Sequence, residues 1–241
     1  MSSRLPPDSS LHGEASRWSD AVERRHHDAR LMQMLLRTTP LAAVVDFGLG
    51  LLAAWLVYPE LGWNIHMVWP LGLMVVAFVY AIDTVRQLSL PLDALARPAV
   101  RWRQTVYIAL LALMFFGVAV FLFPMVSADH RFLLGVIASG VIPVGAMALA
   151  PVRSIVWVWL GITSVGAFIG VLQTEPLVRN VTCGLLLLMN LMLLASVESI
   201  SSGMVARLRA ETAALRGRQS LDLLLRDFET QADDWLWERS P

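Results

Sequence analysis

Val181-Thr-Cys-Gly-Leu-Leu-Leu-Leu-Met-Asn-Leu-Met-Leu-Leu-Ala-Ser-Val197 decides how this chain is read. With Leu177 and Val178 added, the run is long enough to cross the roughly 30 Å hydrocarbon core of a bilayer as one helix. The next stretch is its opposite: 198–226 holds five Arg, two Glu and one Asp, and no Pro interrupts 177–228. Met204, Leu208 and Leu215 keep an apolar seam through the charges. After Gly217 a second stripe begins at Leu221, Leu224, Leu225, Phe228, Ala232 and Trp235. Spacings of three and four place these on one face of a helix, although a heptad is not sustained for three repeats. The expectation is a membrane span that continues as a long cytoplasmic signalling helix, able to pass a mechanical or rotational state outward. The seam, Met204, Leu208, Leu215, Leu221 and Phe228, is expected to pair in a homodimer, because a relay helix needs a partner to bury such a face.

The rest of the composition agrees with that start. The 241 residues are 56% hydrophobic and 16% charged, with a mean hydropathy of +0.61. The usual apolar share of a soluble globule is roughly 45–50%. An all-α polytopic membrane protein is expected, with the lipid bilayer as its surroundings. Net charge is zero, so no global field points to nucleic acid as a partner. The single cysteine, Cys183, lies in an apolar run, which excludes an intrachain disulfide and a Cys-based zinc site. The polar first 39 residues do not read as a cleavable signal peptide.

Six spans are expected, at 40–58, 65–83, 104–125, 132–150, 154–173 and 177–198, which divides the chain into 1–39, a six-helix domain 40–198, and 199–241. In the first part, Trp18, Val22, Leu31, Met34 and Leu35 alternate with arginines from 15 to 37, a composition that suits an amphipathic helix on the membrane face or a solvated lead-in. Thr38-Thr39-Pro40 then reads as a helix start. Pro70, Pro124 and Pro143 are expected to bend or end helices, and Gly166-Ala-Phe-Ile-Gly170 to let helices approach closely. All nineteen cations are Arg. Seventeen of them fall in the two ends and the alternate loops at 86–103 and 153, and only Arg131 and Arg179 fall in the others. Excess positive charge marks cytoplasmic segments, so both termini are expected in the cytoplasm and the number of spans is even.

Asp46, Asn190, His66 and His130 are candidate ligand- or proton-sensing groups. Asp46 lies about 9 Å along the helix from Pro40 at 1.5 Å per residue. A carboxylate there costs at least ~2.5 kcal/mol on insertion scales unless it is paired, protonated or hydrated. It reads either as a sensing group or as one satisfied by a neighbouring span, Arg37 or Arg103. Asn190, near the middle of the last span, can hydrogen-bond to another helix or to its mate in a dimer. His66, Asp129 and His130 lie at expected outer helix ends and could cluster as a metal or proton site, yet they come from different loops, and ordinary rim residues are the default reading. No phosphate loop, His-Glu-x-x-His or nucleophile with a base at useful spacing is present. Neither an enzymatic activity nor a cofactor or metal is expected of this chain.

The tail, Leu223-Leu-Leu-Arg-Asp-Phe-Glu-Thr-Gln-Ala-Asp-Asp-Trp-Leu-Trp-Glu238, resembles the start of a PAS domain, in which Trp-Leu-Trp-Glu opens the first strand. The run Leu122-Phe-Pro-Met-Val-Ser-Ala-Asp-His-Arg-Phe-Leu-Leu134 and the helix leaving the last span resemble six-span N-terminal sensor regions of bacterial PAS, GGDEF/EAL and histidine-kinase proteins. That resemblance implies a sensory input module in the bacterial inner membrane, with a cyclic-di-GMP or kinase output beyond Pro241. It carries over no ligand or binding residue. The alternative reading is a small transporter or channel-like protein whose pathway uses Asp46 and Asn190.

Overall fold

A backbone surrounded by hydrocarbon must satisfy its own polar groups, and every regular element among the described residues is accordingly helical. The computed structural model describes the backbone of residues 9–237, and the side chains of 25–228 apart from Arg216. The helices are α1 (Ser9–Leu61), α2 (Val68–Leu88), the short α3 (Leu92–Leu95), α4 (Pro98–Gly117), α5 (Ala128–Leu149), α6 (Arg153–Leu172) and α7 (Pro176–Trp237). Six stretches are long and apolar enough to cross a membrane: Arg25–Leu61, Ile65–Leu88, Pro98–Met125, Ala128–Leu149, Arg153–Leu172 and Pro176–Phe228. The chain is thus an all-α, multi-pass membrane protein. It falls into two compact units, one up to Ser201 and one from Ser202.

In the first unit α1 packs along α2 and also touches α3 and α5, α4 packs on α2 and α6, and α5 on α6. Leu35, Leu36, Leu73, Leu111 and Ile155 are fully enclosed at the centre. Leu41, Val44, Trp55, Phe132 and Val144 point outward, as lipid-facing side chains do. Lipid tails are as apolar as leucine, so burial alone does not drive such helices together; close contact does. A Cβ on Gly166 would lie 2.8 Å from the Cα of Phe116, and one on Gly170 would lie 2.7 Å from the carbonyl oxygen of Ala119. The expected small-residue contact is therefore made, between α6 and the end of α4. There the helix widens into a π turn, Val118–Leu122, and a 3-10 turn containing Pro124 ends it. Pro70 stands in the first turn of α2 rather than at a bend, and Pro143 stays inside α5.

Three expectations differ from the structure. Thr38-Thr39-Pro40 is no helix start, because α1 runs through Pro40 without a break. The hydroxyls of Thr38 and Thr39 donate to the carbonyl of Leu35 at 2.9 and 2.8 Å, so polar contacts surround the turn where proline has no N–H to offer. Ala29, Met32, Leu35 and Leu36 are buried; of the apolar residues named for 15–37, Leu35 is buried, Leu31 half-buried and Met34 exposed, while Trp18 and Val22 lie outside the described side chains. The second difference is the loop expected at 86–103. It is shorter, since α2 extends to Leu88 and α4 begins at Pro98. Finally, α7 carries on to Trp237 where the first PAS strand was expected; Glu238 lies outside the described residues. A strand needs neighbours for its backbone groups, whereas a helix needs none.

Candidate functional site

Along α2, Tyr80, Asp83, Thr84 and Gln87 recur at three- and four-residue spacing and are all buried. This polar face meets α4. Asp83 forms an ion pair with Arg103, and the Gln87 amide donates to the other Asp83 oxygen at 2.6 Å. Gln104, fully buried, donates to Gln87 Oε1 at 3.0 Å and accepts from the Tyr80 hydroxyl at 2.7 Å. Thr39 Oγ1 lies 3.5 Å from the Tyr80 oxygen, at the edge of hydrogen-bonding range. A connected chain of polar groups thus runs from Arg103 to Tyr80, inside helices that are otherwise apolar. Such groups are tolerated in hydrocarbon because each finds a partner. The Thr84 hydroxyl is the exception on this face, buried without one.

Tyr80 is also part of the wall of a cleft of about 500 Å³ between α1 and α5. Its floor is Tyr80, Ile108, Leu111 and Trp159; α5 contributes two glycines, Gly140 and Gly145. Trp159 is fixed there by its indole N–H, which donates to the carbonyl of Ile142 at 3.1 Å. Asp46 on α1 contributes the only carboxylate in an otherwise apolar lining whose other polar groups are Thr38, Thr39, Tyr80 and Trp159. The two threonines already donate to Leu35, and Tyr80 to Gln104. Neither expected cation reaches Asp46: Arg103 is taken by Asp83, and Arg37 is exposed. Among the described residues Asp46 has no hydrogen bond and no ion pair. A cavity of this size with few polar groups is the usual form of a small-molecule site.

The other expected site residues lie elsewhere. Asn190 on α7 accepts from the hydroxyl of Ser164 on α6 at 2.6 Å and donates to the carbonyl of Leu186 at 2.8 Å. Its partner is thus a neighbouring helix of the same chain. His130 joins Glu60 and Ser127 rather than His66 and Asp129. Its Nδ1 is hydrogen-bonded to Glu60 Oε1 and lies 2.9 Å from Ser127 Oγ, and the Ser127 N–H donates to Glu60 Oε2 at 2.7 Å. Serine and carboxylate meet the same ring nitrogen, so the imidazole does not bridge them through its two nitrogens as in a hydrolytic triad. The cluster ties the end of α1 to the start of α5. Among the described residues no three His, Cys, Asp or Glu are placed to hold a metal ion. On α7, Met204 is half-buried and Leu208 is buried. Leu215, Leu221 and Phe228 are exposed.

Sequence reasoning missed Asp83, Gln87, Gln104 and the Tyr80 hydroxyl. The signal was available as spacing: four polar-capable residues at i, i+3, i+4 and i+7 from Tyr80 form one helix face. The chain matches no family model, no curated protein and no solved structure.

Proposed function

We propose that this chain is the membrane-embedded sensory input module of a bacterial signal-transduction protein, relaying a stimulus through α7 to a cytoplasmic output such as cyclic-di-GMP turnover or a kinase. The observation that carries this reading is the form of α7, one helix from Pro176 to Trp237 whose first third is apolar and whose remainder is charged. A rotation or shift imposed on the apolar part of an unbroken helix is transmitted along it. Arg153 at the start of α6 grips the helix as it leaves its apolar stretch, with Nη2 2.8 Å from Glu198 Oε1 and Nε donating to Ser201 Oγ at 2.9 Å. The arginine distribution supports an inner-membrane protein with both termini in the cytoplasm. The exposed apolar side chains Leu215, Leu221 and Phe228 support a homodimer through this helix.

A transport pathway through Asp46 and Asn190 finds less support. Asn190 does not line the Asp46 cleft and spends its amide on α6 and its own helix.

The relay is tested by changing helical phase. One to seven Ala would be inserted after Ala213 in a fusion of the chain to a diguanylate cyclase, each adding about 100° of rotation. Output should swing with insertion number and return near its starting level at four and seven. Output indifferent to insertion number would overturn the relay.

A further inference from the structure

The cleft beside Asp46 differs from ordinary lipid-facing grooves in having one charged-type group with nothing to bind. Its rim residues Leu41, Val45, Val136 and Val144 are apolar and exposed, so the opening faces the side of the bundle, where the bilayer lies. A molecule entering this way must dissolve in the membrane. Once inside, it meets apolar walls and, at one place, a carboxyl group that no described residue pairs with. A group that donates hydrogen bonds and carries positive charge removes that cost, because an uncompensated intramembrane charge is expensive and a paired one is not. An anionic amphiphile would place like charges together, and a neutral one could offer a hydrogen bond but no compensating charge. The small residues Ala42 and Gly140 in the lining leave room for a chain beside the head group; a Cβ on Gly140 would meet nothing within 4 Å.

The geometry points to this cleft as a binding site for a lipophilic amine, held by its ammonium group on Asp46 and by its hydrocarbon part between α1 and α5. This names the ligand class of the input module, and it rests on that reading only for the step from binding to signalling. Occupancy would also be felt by the rest of the fold. Tyr80 and Trp159 form the cleft floor, and Tyr80 begins the polar chain that ends at Asp83 and Arg103.

The test uses the full 241-residue chain in nanodiscs of zwitterionic lipid, with radiolabelled decylamine as the probe and empty discs as the blank. A saturable component of one site per chain is expected, competed by decylamine at least about tenfold better than by decanol or decanoate, as a charge-assisted hydrogen bond implies. Asp46→Asn should weaken decylamine by about tenfold or more, to the level of decanol. Gly140→Leu, which fills open space and leaves Asp46 intact, should remove the saturable component. The proposal is overturned by the absence of saturable binding above empty discs, by equal affinity for decylamine and decanol, or by unchanged binding in Asp46→Asn. Such a failure would leave the relay standing, since helical phase is read without any ligand.

Discussion

Asp46 and Asp83 are carboxylates on adjacent helices of one bundle, and their surroundings are opposite. Asp83 is enclosed and held on both oxygens, by Arg103 on one and Gln87 on the other. Asp46 looks into a cleft and is held by nothing in the described chain. The same side chain is therefore architecture in one place and an open valence in the other. The difference lies in what the neighbouring helix offers: α4 brings an arginine to α2, whereas α5 brings glycines and valines to α1. Partnered and unpartnered versions of one chemistry recur elsewhere. Gly166 is filled against Phe116 while Gly140 is open.

The largest effect should come from stripping the partnered carboxylate. Arg103→Ala leaves Asp83 enclosed with only the Gln87 amide. Breaking a fully buried pair costs about 3–5 kcal/mol, and because the Arg103 side chain is 57% exposed the expected loss is nearer ~2 kcal/mol. Adding Asp83→Asn should return about half of that loss, since the unpaired charge goes with it. Unfolding by SDS titration in mixed micelles reads both, and an Arg103→Ala protein as stable as the parent would break the contrast between the two aspartates.

Next comes the pair of glycines. Gly166→Val must push a side chain into the backbone of Phe116, and overpacking of that kind costs about 1–3 kcal/mol. Gly140→Ala adds a methyl to open space and should change stability by well under ~1 kcal/mol. Equal losses in the same titration would mean that α5 closes on the cleft and that Gly140 is not open. A third contrast is read by crosslinking rather than by stability. In a Cys183→Ser background, a cysteine at Leu215 or Leu224 should form disulfide-linked dimers in membranes several-fold more readily than one at Leu208, because only the first two are exposed. A yield at Leu208 equal to that at Leu215, two turns away on the same face, would mean that Leu208 is open to a second copy as well.

What could be read from the sequence was whatever a local window contains. The six spans were legible because apolar runs of bilayer length are rare in other proteins, and so was Gly166–Gly170, because its spacing alone states that one helix comes close to another. Pro40 was misread, since a proline inside a helix removes only its own bond, to the carbonyl of Leu36 four residues back, and α1 carries on around it. Asp83 was passed over for another reason. A hydropathy window closes a span at its first charge, but the arginine that makes Asp83 tolerable lies twenty residues on, in another helix. The cleft was not legible at all. Its lining comes from five helices, and an empty volume has no residue of its own to leave a mark in a sequence.

The smallest effect on stability should come from Asp46→Asn, and its smallness is informative. If Asp46 were partnered as Asp83 is, neutralising it would leave the partner unsatisfied and cost about 1–3 kcal/mol. With no partner among the described residues, the substitution removes a group that is costly in hydrocarbon and leaves an amide of the same shape in the cleft that Thr38 and Thr39 also line. The expected change is within about 0.5 kcal/mol of zero or slightly stabilising, as for replacements that break no contact. The SDS titration used for Arg103→Ala measures it on the same scale, so that the two aspartates can be compared directly. A loss approaching that of Arg103→Ala would place Asp46 among the structural carboxylates and remove the open valence from the cleft. A near-zero change, set beside a lost affinity for decylamine in the same variant, would separate folding from binding at one residue, because a merely structural carboxylate cannot be dispensable for the fold and required for the ligand.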